Sequence, residues 1–346
     1  VARKRHQYPL IEGLEITTLA AEGKSLGRWN DQVVFVPMTV PGDVVDVQIR
    51  NKRRRYMEGY VVRYQKFSEM RCEPFCQHFG VCGGCKWQNL PYEEQLRLKQ
   101  SQVEDQLTRI GKIELPAISP ILGSKKTQLY RNKLEFTFTP RRWLTQEEVA
   151  SGAELDASPA LGFHIPTMFD KVLDIEKCWL QPEPSNAIRL ATKRFCLEHD
   201  YEFYNVREHS GFMRNMIIRT ASTGEVMVIV IFAYRNEERI AALLDHLCTK
   251  FPEITSMIYM INEKLNDSTG DLDPVTYRGN GHIFEQMEGL RFKVGPKSFY
   301  QTNSEQAYEL YKVAREAAEL KADDVLYDLY TGTGTIANFC ASRCAK

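Results

Sequence analysis

The sequence predicts a multidomain α/β chain: a small closed β-barrel first, an α+β middle domain with a largely antiparallel sheet next, and the opening of a parallel α/β domain last. Three observations predict it. Short strand-like runs punctuated by turn signals fill Gly13 to about Lys66. From Tyr130 to about Phe284, strand-like and helix-like patterns are mixed. Near the end, DDVLYDLYTGTGTIANFC reads as strand, glycine turn and helix start. The expected divisions are residues 1–66, 67–285 and 286–346.

In order along the chain, LEITTLA, QVVFVP, VVDVQIR and MEGYVVRY are strands, and Trp29-Asn30-Asp31 and Pro41-Gly42-Asp43 are turns. This spacing fits a barrel of the oligonucleotide-binding type, which presents a strand face and loops to single-stranded nucleic acid. After a cysteine-rich loop, Pro91 opens a helix with Leu96, Val103, Leu107 and Ile110 on one face and Gly111 at its end. The middle domain reads as strands KLEFTFTP, ALGFHI, NMIIRT, EVMVIVIFAY and SMIYMIN, with helices near Pro184 to Glu198 and Asn236 to Lys250. Asn303 caps a further helix running to about Leu320. One strand and one helix start cannot bury a parallel sheet on both faces, so the last domain reads as incomplete.

At 346 residues the chain can hold two or three ordinary cores, and 43% hydrophobic with 26% charged residues is a globular composition. The basic start VARKRHQ lacks the apolar core of a signal peptide, and the longest apolar run, VMVIVIFAY, is too short to span a bilayer. A cytoplasmic monomer that does not engage a membrane is expected. The formal net charge is +0, so nucleic-acid binding must use local patches. RNKRRRY supplies one: Arg50, Lys52, Arg53, Arg54 and Arg55. Taken alone, the patch reads as a solvated hairpin tip; on a barrel of this type it favours RNA binding.

Nine cysteines in such a compartment suggest metal more than disulfides. Cys76, Cys82 and Cys85 stand in C-x5-C-x2-C order, with Gly83 and Gly84 freeing the backbone around them. Two assignments stay open on spacing: zinc held by Cys72, Cys76, Cys82 and Cys85, slightly favoured, or an iron–sulfur cluster with a distant fourth ligand. The C-x3-C-x2-C spacing of a radical enzyme is not kept. Thr331-Gly332-Thr333-Gly334-Thr335 is a nucleotide-type turn, although Ala337 breaks the dinucleotide fingerprint, and a tight connection with no ligand competes with that reading.

Taken together, these residues resemble the RumA/TrmA-type RNA uracil-5-methyltransferases, in the branch that carries an iron–sulfur cluster and methylates ribosomal RNA. CQHFGVCGGCKWQ matches the family's CxHFGxCGGCxxQ, and LGFHIPTMFDKVLDIEKC leads to its late cysteine. The resemblance implies a [4Fe-4S] cluster on Cys76, Cys82, Cys85 and Cys178, displacing zinc, and a TRAM domain for the barrel. The patch on that barrel gives Arg53, Arg54 and Arg55 as RNA contacts, and the resemblance implies further ones from Arg131 and Lys133 in YRNKLEFTF and from Arg214 in GFMRNMIIR, the RNA being 23S rRNA. FYQTN matches F-x-Q-x-N, so Gln301 is expected to bind S-adenosyl-L-methionine together with Tyr330, Gly332, Gly334 and Thr335 in a Rossmann-like domain.

In that family a cysteine thiolate adds to uracil C6, the C5 so activated attacks the sulfonium methyl group, and a base removes the C5 proton. Both the cysteine and its glutamate base are expected C-terminal to the glycine turn, where this sequence offers only Cys340 and Cys344. Both read as structural. The expectation is therefore a chain truncated at the cofactor turn, with no catalytic residue and no activity of its own, from an active parent. The alternative is a non-catalytic, metal-stabilised RNA-binding protein.

Overall fold

The computed structural model describes residues 8–152 and 156–346, so the basic start at residues 1–7 lies outside the described residues. The chain divides into two compact units, Val1–Gly123 and Ser124–Lys346, and the division falls inside the stretch expected for the middle domain.

In the first unit, β1 (Leu10–Leu19), β2 (Lys24–Trp29), β3 (Gln32–Pro37), β4 (Val44–Lys52) and β5 (Tyr56–Lys66) close a barrel in the order β1-β2-β3-β5-β4. Only β3 and β5 run parallel. Alternate residues point inward, as the period of a strand requires, and Ile11, Leu14, Ile16, Val34, Val36, Val45, Val47, Ile49 and Met57 form the core. Asn30 and Asp31 both take positive φ between paired Trp29 and Gln32, which is the geometry a two-residue hairpin demands. Gly27 is required by closeness: a Cβ there would lie 2.3 Å from the Glu15 carbonyl oxygen.

The Pro41-Gly42-Asp43 turn does more than reverse the chain. The Asp43 carboxylate is fully buried and accepts from the backbone N–H groups of Val40 (2.8 Å) and Ser68 (2.9 Å) and from Arg71 through Nε (2.8 Å) and Nη2 (2.6 Å). It thereby ties the start of the cysteine loop to the barrel. Helix α1 (Tyr92–Asp105) follows, but the stripe expected on it is not its packing face. Leu98 is the buried residue, joining Leu19, Val40 and Leu90, while Val103 and Ile110 are exposed.

The second unit is built on a seven-stranded sheet. Its strands are β6 (Lys133–Thr139), β7 (Ala160–His164), β8 (Val172–Asp174), β9 (Met213–Thr220), β10 (Val226–Phe232), β11 (Ile254–Ile261) and β12 (Val275–Gly279). They lie in the order β12-β11-β10-β9-β6-β7-β8, all antiparallel neighbours except β10 with β11. A short helix, α2 (Gln146–Ala150), precedes β7, and α3 (Ser185–Glu198) and α4 (Glu237–Lys250) pack against each other and against β7 and β11. The expected α+β organisation and both helices are present. A hairpin, β13 (Ile283–Met287) with β14 (Leu290–Val294), then leads to α5 (Ser304–Ala317) and α6 (Thr335–Cys340). Ile229, Ile231 and Met260 of the sheet share one core with Phe292, Tyr311 and Phe339 of these later elements.

The strand expected at Asp324 to Tyr330 does not form. Its turns and irregular backbone pair with no described strand, and Tyr327, Leu329 and Tyr330 are exposed. A strand needs a neighbouring ladder to satisfy its N–H and C=O groups, and here Leu326 N–H instead donates to the Lys346 carbonyl (2.7 Å).

Candidate RNA and cofactor surfaces

The barrel carries the cationic tip where the sequence places it. Arg53, Arg54 and Arg55 are exposed between β4 and β5, held by Arg53 N–H donating to the Tyr56 carbonyl (2.8 Å) and Gln32 Nε2 donating to the Arg54 carbonyl (3.0 Å). Two aromatic residues that sequence reasoning passed over stand beside them. The Arg50 guanidinium lies 4.8 Å over the exposed Tyr60 ring, and the exposed Tyr56 meets Phe35 edge-on at 5.8 Å. Cations interleaved with rings suit a flexible, stacked strand. The signal was legible in YMEGY, where Tyr56 and Tyr60 stand four positions apart and so share one face of a strand.

The cysteine loop between β5 and α1 has no helix or strand. Gln88 organises it: its Oε1 accepts from Cys76 N–H (3.2 Å) and its carbonyl accepts from Cys72 Sγ (3.4 Å). Burial pushes the Cys72 thiol up, in keeping with that donor role. Cys76, Cys82 and Cys85 are half-buried, and Cys82 Sγ accepts from Gly84 N–H (3.4 Å). Cys178 is buried in the second unit, where Asn186 Oδ1 accepts from its N–H (2.8 Å). The donor types suit a cluster, but among the described residues no group of three or more His, Cys, Asp or Glu side chains is gathered to hold a metal ion. Neither the [4Fe-4S] cluster nor the zinc site is carried into the chemistry below.

Arg214 requires a correction. It is 2% exposed on β9, where Nη1 donates to the carbonyls of Asn262 and Lys264 and Nη2 to the Asn266 carbonyl (3.0 Å) and to Asp267 Oδ1 (2.8 Å). Its guanidinium also lies 4.1 Å over the Tyr204 ring. It is a buried clamp on the loop after β11. Arg131 and Lys133 stay half-buried at the start of β6, and burial, with Arg219 and Arg131 near, pushes the Lys133 ammonium down.

Gln301 stands on a segment pinned by its backbone. Asn132 Nδ2 donates to the Gln301 carbonyl (2.8 Å) and to Ser304 Oγ (2.8 Å), and Asn132 N–H donates to the Thr302 carbonyl (2.8 Å). Earlier in the segment, Arg219 Nη1 and Nη2 donate to the carbonyls of Gly295 (3.2 Å) and Ser298 (2.6 Å). Asn303 caps α5 by accepting from Gln306 N–H (3.0 Å), as expected. Buried Glu285 accepts from Ser304 Oγ (2.8 Å) and Ser222 N–H (3.1 Å). A small cleft here is lined by Asn132, Arg219, Glu285 and Tyr300 with Ile283 and Val294. Burial, reinforced by Glu285 and Tyr311, pushes the Tyr300 phenol up, and burial pushes Arg219 down.

The glycine turn is present with its dihedral demands met. Tyr330, Gly332 and Gly334 all take positive φ, a conformation glycine adopts freely. Asp328 Oδ2 accepts from Thr331 Oγ1 (3.1 Å) and Ala337 N–H (3.1 Å), fixing the turn to α6, while Thr335 is buried with its hydroxyl 2.8 Å from that of Thr333. Cys340 is 3% exposed, and burial pushes its thiol up.

Residues 11–62 match the TRAM domain model. Along the chain, an uncharacterised RNA methyltransferase of Bacteroides thetaiotaomicron is 61% identical over 328 residues, which are 94% of this chain and 72% of the relative. A second, of Porphyromonas gingivalis, is 53% identical over 95% of this chain and 72% of its own length. This chain belongs to the RumA/TrmA-type RNA methyltransferases. The fold agrees: the crystal structure of Pyrococcus abyssi tRNA (uracil-54, C5)-methyltransferase in complex with S-adenosyl-L-homocysteine superposes with a TM-score of 0.68 at 23% identity, covering 96% of this chain and 70% of that one. The matches run over nearly all of this chain and over 72% of each of these two relatives. Among its described residues, no helix is long and apolar enough to cross a membrane.

Proposed function

We propose that this RNA methyltransferase transfers the methyl group of S-adenosyl-L-methionine to C5 of a uracil in RNA, with ribosomal 23S RNA as the substrate. The observation that carries the reading is the exposed Gln301 on a segment whose backbone is clamped, in the same unit as a glycine turn built for close approach. Resemblance to the family's F-x-Q-x-N and DLYTGTGT motifs supports Gln301, Tyr330, Gly332, Gly334 and Thr335 as the cofactor contacts. Arg53, Arg54 and Arg55, with Arg131 and Lys133, supply the cations that meet RNA. Nucleoside mass spectrometry of RNA treated with the protein and the cofactor tests this. 5-Methyluridine supports the reading, and a methyl group on another base or on ribose overturns it.

Replacing Arg53, Arg54 and Arg55 together by alanine is expected to weaken RNA binding and to lower the slope of log affinity against log salt. The decrease should be about 0.7 for each phosphate of a single strand that the arginines no longer neutralise. A filter-binding titration at several salt concentrations measures it. An unchanged slope would remove the barrel tip from the interface.

A further inference from the structure

We propose that Asn132 is a positioning residue for the cofactor, holding Gln301 in place, and that Arg219 is its companion clamp. The inference deepens the cofactor role proposed above for Gln301 and rests on it. Among the described residues, no hydrogen bond that fixes residues 295–304 uses the Gln301 side chain. Asn132 grips the carbonyls of Gln301 and Thr302, the first by its side-chain amide and the second by its backbone N–H, and it reaches on to Ser304. Arg219 holds the carbonyls of Gly295 and Ser298 upstream. With the backbone held on both sides, an exposed side chain keeps a fixed origin, and less freedom is lost when it meets a ligand.

The same residue links two surfaces. Asn132 lies between Arg131 and Lys133 on the strand read as facing RNA, and its carbonyl accepts from Thr220 N–H (2.9 Å) at the end of β9. Ser304 passes the connection to buried Glu285 and so to Ser222. Movement of the start of β6 on binding RNA therefore reaches the Gln301 carbonyl through a single side chain. The resemblance of YRNKLEFTF to the family's RNA-facing strand pointed to Arg131 and Lys133 and passed over the asparagine between them.

The experiment compares the native chain, Asn132→Asp, Gln301→Ala and the double variant. Calorimetry with S-adenosyl-L-methionine gives affinity, and hydrogen exchange of the peptide spanning residues 299–306 gives local order. Aspartate keeps the shape but removes the amide donor facing the Gln301 carbonyl. Asn132→Asp is expected to weaken the cofactor by about five- to tenfold, as the loss of one net hydrogen bond does, and to speed exchange in that peptide. In the Gln301→Ala background the further loss should vanish, because a positioning residue acts only through the residue it positions.

An additive loss in the double variant would make Asn132 a merely structural residue and overturn the proposal. Unchanged exchange in Asn132→Asp would overturn it whatever the cofactor does. If Gln301→Ala binds the cofactor as tightly as the native chain, the reading of Gln301 fails, and with it the role given to Asn132. The two failures are told apart because exchange reports on the clamp without reference to ligand.

Discussion

Replacing Asp43 by alanine is expected to destabilise the barrel unit by about 3–5 kcal/mol, the usual consequence of removing one partner of a buried ion pair. The carboxylate takes four hydrogen bonds, two from backbone N–H groups and two from Arg71. Its loss leaves two buried N–H groups unpaired and strands the Arg71 guanidinium, whose side chain is 19% exposed against the Tyr64 and Phe67 rings. Arg71→Met is expected to cost a similar amount for the converse reason, while Asp43→Asn keeps one acceptor oxygen but sets an NH2 donor against two of the four donors, and should recover only part of the loss. Urea unfolding of the barrel measures the difference. With a slope of about 1–3 kcal/mol per molar, the midpoint should fall by a molar or more (roughly) for Asp43→Ala. A shift no larger than that of an exposed substitution would show that the turn does not depend on this carboxylate.

Arg214→Met is expected to destabilise the second unit by about 3 kcal/mol, since buried acceptors are left unpaired and a packed cation is removed. The carbonyls of Asn262 and Lys264 would lose the Arg214 donor, and that of Asn266 would keep Asn262 Nδ2 alone. RNA affinity of the folded variant should remain within about twofold of the native chain, well inside the tenfold that ~1.4 kcal/mol of binding energy would shift it. A selective loss of RNA binding with unchanged stability would restore Arg214 to the interface.

That correction shows where the sequence stops being readable. On β4, buried Val45, Val47 and Ile49 occupy alternate positions, so the barrel's inner face can be written down from the period alone. The Asn30-Asp31 turn and the Asn303 cap are equally local: each depends on residues within three positions of itself. β9 is different, because it lies inside the seven-stranded sheet and every residue from Met213 to Arg219 is buried. No alternation remains to separate an arginine that reaches outward from one that clamps a loop.

Helix α1 fails in a related way. Its apolar stripe is real, yet the barrel takes Leu98, because Leu19, Val40 and Leu90 lie where that side chain reaches. The strand expected at Asp324 to Tyr330 had the right composition but no described strand to pair with. Asn132 could not have been singled out at all, since its partners lie about 170 positions away and meet it only in the folded unit. Gln301 was legible only through the family's motif, and its clamp only through the structure.

The central claim is that the methyl group goes to C5 of uracil, and the most direct measurement is the fate of the hydrogen on that carbon. RNA carrying tritium at uracil C5, mixed with the protein and S-adenosyl-L-methionine, should release tritium into water in step with methyl incorporation, since the C5–H bond must break for the C5–CH3 bond to persist. Methyl incorporation without tritium release would place the methyl group elsewhere and contradict the account.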